Sequence, residues 1–269
     1  MIYLLSEPLL FMVCLLMAAS VTMVATLVIL LFRRGEARCR PSLLPPPFIT
    51  AIVFPASIVI GLLVNDTWKR FMDAQDVVQQ ESAVLDAIVT QKSQLALQFR
   101  AAVIDGIDRY TQVQIPKDWA LFERGELPLA NDELVLLLQQ IDAWLTDENR
   151  IDPAQRVYLD RLRNGVLELR KLRAKRIVLS VGKMDGPKWW VVFCLLFTCT
   201  LAMSEITLHV RSAYLSVAAL FIIGNGSVIY MLATHERPFA GGTMVKAPAA
   251  LMAAKAQRAP TEPMVVPTR

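Results

Sequence analysis

The sequence predicts an all-α membrane protein in which two pairs of transmembrane helices flank a helical polar domain. Three observations carry this. Long stretches hold no charge, the charged residues collect in the middle of the chain, and no segment alternates apolar and polar residues as a strand does. Of the 269 residues, 55% are apolar and 19% charged, where globular chains carry roughly 25% charge. Mean hydropathy is +0.44. Residues 66–187 hold 17 of the 28 Lys and Arg and 19 of the 24 Asp and Glu. That leaves the middle segment slightly acidic, so it carries no basic nucleic-acid footprint and no nucleic-acid partner is expected.

The predicted organisation is a first transmembrane hairpin over 1–65, with helices at about 9–32 and 48–64. The polar domain follows over 66–187. A second hairpin covers 188–235, with helices at about 189–206 and 212–234, and a tail covers 236–269.

Pro8 to Phe32 holds no charge in 25 residues, and a membrane helix needs roughly 20. No Lys or Arg precedes it, so it reads as an uncleaved helix rather than a signal peptide. The second run, Phe48 to Val64, is shorter and holds Pro55 and Gly61, residues more frequent in membrane helices than in soluble ones. The third runs from Trp189 to Ser204 and the fourth from Ser212 to Thr234. Within the fourth, Gly224, Asn225, Gly226 and Ser227 have two readings, close helix packing with an Asn hydrogen bond or a polar lining.

With two hairpins, the polar domain and the tail lie on the same side as the N-terminus. Which side this is, two charge counts answer in opposite ways. Arg33, Arg34, Arg38, Arg40 and Arg211 occupy the hairpin loops. Lys69, Arg70, Arg173, Lys175, Arg176, Lys183, Lys188, Arg237 and Lys246 flank the membrane on the other side.

In the polar domain, Val77, Val78, Leu85, Ile88, Leu95, Phe99 and Val103 recur near helical spacing from about 69 to 110, which predicts a helix continuing the second membrane run. A shorter element starts near Pro116, with Asp118 as a cap and Trp119 in a core. Asn131 is expected to cap a helix running through Leu145. Asp152, Pro153 and Gln155 form a helix start with a cap, an early proline and a capping-box glutamine. Leu159, Leu162, Val166 and Leu169 then form a stripe, interrupted by Arg173 and resumed at Ile177. Gly182, Gly186 and Pro187 are expected to end this helix before Trp189 and Trp190, an interfacial pair. The basic run from Arg170 to Arg176 reads as a solvated or headgroup-facing surface, or as a site for anionic lipid. Lys246 to Arg258 reads as a surface helix and 259–269 as disordered.

The chemistry of catalysis is missing from the pattern. No phosphate loop, metal-ligand spacing or nucleophile elbow occurs, so no catalytic, cofactor-binding or metal-binding residues are assigned and enzymatic activity is not expected. Cys14, Cys39, Cys194 and Cys199 suggest neither a disulfide framework nor a zinc site. Glu205 and His209 stand four apart, either as an interfacial acid or as a proton relay. His235, Glu236 and Arg237 follow the last helix; Arg237 is expected to meet headgroups or a domain acid such as Glu81.

Several motifs together carry a resemblance. Trp68, Phe71, Ala74, Val78 and Glu81-Ser82 follow the second membrane run. Ile104, Arg109-Tyr110, Asp118-Trp119 and Gly125 come next, then Arg156 and Arg161. Glu236-Arg237-Pro238-Phe239-Ala240-Gly241 follows the last run, with Val245, Pro248 and Leu251 after it. Over roughly residues 10–255 the chain resembles the bestrophin-like family of bacterial membrane proteins, although family members usually have Asp where Glu236 stands. The resemblance implies four membrane helices, a bacterial inner-membrane location and structural roles for Trp68, Ala74, Glu81, Tyr110, Trp119, Arg237, Pro238, Phe239 and Gly241.

Bestrophins are pentameric anion channels, so the resemblance also implies a homo-oligomer in membrane lipid that passes small anions. Ile52, Pro55, Ile58 and Val59 on the second helix would then line the pore; ordinary helix packing is the other reading of that face. No clustered acids suggest calcium gating. Two rival functions stand beside the channel. One is a non-conducting scaffold that binds partners through the stripes over 77–103 and 159–177. The other is a sensor with an extracytoplasmic domain.

Overall fold

Hydrocarbon offers a backbone no hydrogen-bond partner but itself, so charge-free runs of this length fold as helices. A computed structural model of the chain describes residues 7–32, 46–128, 132–147, 151–182, 186–208, 210–239 and 245. They form α1 (Glu7–Phe32), α2 (Pro46–Gln91), α3 (Leu97–Arg109), α4 (Ile115–Arg124), α5 (Glu133–Thr146), α6 (Pro153–Val181), α7 (Gly186–Thr207) and α8 (Arg211–His235). No strand occurs among the described residues. α1, α2, α7 and α8 are each long and apolar enough to cross a membrane. The protein is therefore an all-α, multi-pass membrane protein. Arg33, Arg34, Arg38, Arg40, Asn131, Lys183, His209, Gly241 and the tail from 246 onward lie outside the described residues.

Contacts divide the described residues into two compact units, one drawn from 7–72 and 182–239, the other from 73–181 with Val245. In the membrane unit, α1 buries Leu10, Cys14, Ala18, Thr22, Ala25 and Ile29, a row spaced by three or four residues along one face. Leu10, Cys14 and Ala18 pack against Val192 and Leu196 of α7 and Ile229 and Leu232 of α8. Because lipid tails are as apolar as these side chains, close approach and hydrogen bonds must hold the helices together. Both are present. A Cβ on Gly226 would stand 2.7 Å from Leu15 Cδ2 and 3.2 Å from its Cα, whereas one on Gly224 meets nothing within 4 Å. Thr26 and Tyr214 share a 2.7 Å hydrogen bond between α1 and α8. Asn225 donates to Thr200 Oγ1 at 3.3 Å, joining α8 to α7. α2 adds only Ile60, Leu63 and Val64, partly buried at the margin of this core.

The polar unit is built on the second half of α2, which buries Ala74, Val77, Val78, Glu81, Leu85 and Ile88. The helix expected from about 69 to 110 is interrupted. α2 ends at Gln91, a 3₁₀ turn spans Lys92–Gln94, and α3 starts at Leu97. The break is held from elsewhere in the chain: Gln155 Oε1 accepts from Ala96 N at 2.9 Å and its Nε2 donates to Gln94 O at 3.2 Å. Gln155 therefore serves the start of α3 rather than a capping box on its own helix.

Other termini also differ from expectation. The cap of α5 is Asp132, whose Oδ1 accepts from Leu134 N at 3.2 Å. Asp118 caps nothing; it lies buried inside α4. Gly186 and Pro187 open α7 instead of closing α6, since proline fits a first helical turn. α4 stops at Gly125, whose φ of 73° is the left-handed conformation glycine adopts freely. α5 and α6 then close the unit with buried Leu134, Leu137, Leu138 and Ile141 on one and Leu159, Leu162, Val166 and Leu169 on the other.

Candidate functional site

Two features of α2 stand out, one in each unit. The first is the uncovered face of its membrane half. α2 runs unbroken through Pro55, although a proline leaves the carbonyl one turn back without its donor. Of the four residues expected on a pore, Pro55, Ile58 and Val59 are exposed and Ile52 is half-buried. Phe54, Ile58 and Leu62 form an open apolar row, at 65%, 49% and 64% exposure. Their spacing of four puts them on one stripe of the helix. Phe54 and Leu62 were absent from the expected set; the i, i+4, i+8 spacing of large apolar residues was the signal that named them. Ala56 alone in this stretch is fully buried.

The second feature is a buried ion network in the polar unit, reaching from Glu81 of α2. Glu81 accepts from the Tyr110 hydroxyl and from Arg176 Nη1, and all three side chains are buried. Arg176 Nη2 reaches Asp118 Oδ2 at 3.0 Å. Arg173 grips the same carboxylate through Nε at 2.9 Å and Nη2 at 3.2 Å. Asp132 Oδ2 lies 3.6 Å from Arg173 Nη1 and 3.4 Å from Arg170 Nε. Three carboxylates thus meet three guanidiniums. The Arg176 guanidinium also lies 4.7 Å from the Trp119 ring centroid, a cation–π distance. Trp119 Nε1 in turn donates to Val245 O at 3.2 Å.

The expectation that the run from Arg170 to Arg176 faces solvent or headgroups holds for Arg170, Lys171 and Lys175, which are exposed, and is corrected for Arg173 and Arg176. Arg173 and Arg176 point inward, 5% and 0% exposed. They are neutralised by acids 41 to 95 residues away in sequence.

Electrostatics explains how such charges are tolerated. Burial raises the Tyr110 hydroxyl well above its usual range, and the Glu81 carboxylate beside it adds to the rise. Burial works against the Arg176 charge, but Glu81 and the phenol outweigh it and hold the guanidinium firmly protonated. Arg176 Nε is buried without a hydrogen-bond partner among the described residues, but the guanidinium hydrogen bonds and ion pairs of the network all reach carboxylates, so it serves as a clamp across α2, α4, α6 and the start of α5.

The π-helical turn Tyr110–Gln114 carries one end of that clamp. Such turns insert one extra residue per turn and re-aim side chains. Here the turn brings Tyr110 inward and lets Gln114 Oε1 accept from Glu133 N at 2.8 Å.

The remaining motif residues have structural surroundings. Ala74 is fully buried and Trp119 nearly so. Trp68 is 43% exposed. Its ring lies 5.0 Å from that of His235, which also meets Phe71 at 4.9 Å. His235 Nδ1 lies 2.9 Å from Met231 O. Pro238 and Phe239 are buried and Arg237 is half-buried.

The Bestrophin-like domain model matches residues 14–250 of the chain. The chain belongs to the bestrophin-like family. Among solved structures, a variant of a bacterial bestrophin homologue from Klebsiella pneumoniae superposes with a TM-score of 0.62 at 12% identity, covering 91% of this chain and 98% of that one. A second variant of a Klebsiella pneumoniae homologue gives a TM-score of 0.64 at 12% identity, covering 91% and 96%. A crystal structure titled only as a membrane protein variant gives 0.65 at 12% identity, again covering 91% and 96%. No curated protein matches the chain. The likeness to these structures is one of fold.

Proposed function

We propose that this bestrophin-like protein is an oligomeric channel for small anions, with the uncovered face of α2 lining the pore. One observation carries the reading. α1, α7 and α8 pack on one another, while the membrane half of α2 leaves Phe54, Ile58 and Leu62 open. Copies arranged around an axis would turn this row, with Pro55 and Val59, toward a narrow apolar passage. Such a passage gates by expelling water. The kinship with bestrophins supports anions as the permeant class and a homo-oligomer as the assembly.

The scaffold reading rested on apolar stripes left for a partner. Val77, Val78, Leu85 and Ile88, and Leu159, Leu162, Val166 and Leu169, are all buried within the chain itself, which removes its basis.

Chloride efflux from liposomes holding the purified oligomer tests the channel. Ile58→Ala is expected to widen the apolar passage and raise efflux several-fold while the oligomer elutes unchanged. Equal, background-level efflux from both folded proteins would end the proposal.

A further inference from the structure

We infer that Lys69 sets the charge selectivity of this pore, drawing anions to the mouth of the apolar stretch. The inference rests on the pore reading above. Helix geometry places Lys69 on the same stripe as Ile58, since 11 residues turn α2 through about three full revolutions and advance it about 16 Å. It stands about 10 Å beyond Leu62, the last large apolar residue of the open row, with Asn65 between them on that stripe.

The neighbouring charges leave Lys69 uncompensated. Asp66 is the nearest acid preceding it. Its Oδ2 lies 3.4 Å from Arg70 Nη2 and 3.6 Å from Lys188 Nζ. No carboxylate among the described residues forms an ion pair with Lys69, and its side chain is exposed. The four groups together carry a net charge of +2 per chain.

The next acids on α2 are Asp73, half-buried about 6 Å beyond Lys69 and about 40° off its stripe with no ion pair to it, and Asp76, exposed. Asp76 returns to the stripe of Ile58, but it stands about 10 Å beyond Lys69, on the order of one screening length at physiological salt. A permeating ion leaving the apolar stretch therefore meets the ammonium first. Low-dielectric walls concentrate the field of a fixed charge at such a mouth, and every copy in a ring adds its own lysine.

The test is the chloride-to-potassium permeability ratio, read from reversal potentials across a bilayer with a potassium chloride gradient. Wild type is compared with K69Q, K69E, K69R and D76N, each first shown to elute as the wild-type oligomer. The ratio is expected to fall by about three- to tenfold in K69Q and further in K69E. K69R and D76N are expected to keep it within about twofold of wild type. A K69E channel with the wild-type ratio would overturn the inference and leave the pore standing, and so would a D76N channel whose ratio shifts while that of K69E does not. An absence of ion flux from folded wild type would instead bring down the pore reading and this inference with it. The charge-keeping K69R separates loss of charge from loss of fold.

Discussion

The two halves of α2 are one continuous helix with opposite fates. Through residues 48–64 it leaves most of its surface uncovered, with Ala56 its one fully buried residue. From Ala74 to Ile88 it is studded with buried positions, and at Glu81 it joins a charge clamp. Residues 48–64 hold no charged side chain and 66–91 hold seven, so hydropathy separates the halves but does not say which faces are covered. The polar half finds its partners within its own chain. The membrane half has lipid or another copy to meet, and lipid places no demand for a particular side-chain fit. Stability therefore resides in the second half, and the first is free to be shaped by whatever meets it in the membrane.

This contrast is broken most severely at Arg176. Arg176→Ala would leave Glu81 and Asp118 buried with one cation fewer. Removing one partner of a buried pair costs about 3–5 kcal/mol. Thermal unfolding in detergent is expected to show a large loss, and a change under about 1 kcal/mol would mean the clamp is not holding the unit.

Leu85, 2% exposed, sharpens the comparison within one helix. Leu85→Ala is expected to cost about 2–5 kcal/mol through lost burial and a cavity. The same truncation at Ile58, 49% exposed, is expected to stay within about 0.5 kcal/mol. Equal losses at the two sites would erase the distinction.

Tyr110→Phe removes one donor from buried Glu81 and is expected to cost about 1–3 kcal/mol at neutral pH. Its pH dependence has a definite sign. Folding holds the Tyr110 proton beyond the ordinary value of 10.0, so the stability this group contributes is fully present below that pH. It is lost as pH rises above it, where the unfolded tyrosine ionises first. Wild type is expected to lose more stability than Tyr110→Phe between pH 9 and about 11, measured by denaturant unfolding at each pH. Parallel curves would remove Tyr110 from the clamp.

Much of the architecture was legible along the chain because its causes are local. Four charge-free runs marked the membrane helices, and Leu159, Leu162, Val166 and Leu169 marked the inner face of α6. The start of α6 was legible from Asp152 and Pro153, since a cap and an early proline act within one turn. Gln155 was misassigned because its actual partner, Ala96, lies 59 residues away. Asp118 was misassigned likewise: at a helix start it resembles a cap, and only Arg173 and Arg176 make it a buried counter-ion. On the uncovered face of α2, the helix, its apolar character and exposed Pro55, Ile58 and Val59 were legible; that Phe54 and Leu62 also stay open was not, because α1, α7 and α8 decide it by packing together without them.

The sequence by itself determined the helices, the four membrane crossings and the family, since each follows from runs of neighbouring residues and their hydrogen-bonding needs. Only the tertiary structure decided which cations face water and which are buried, and which side of α2 is left for something else. A charge withstands burial only when its counter-charges converge on it, and here convergence joins residues separated by as many as 95 positions. That condition belongs to the folded chain as a whole and to no segment of it.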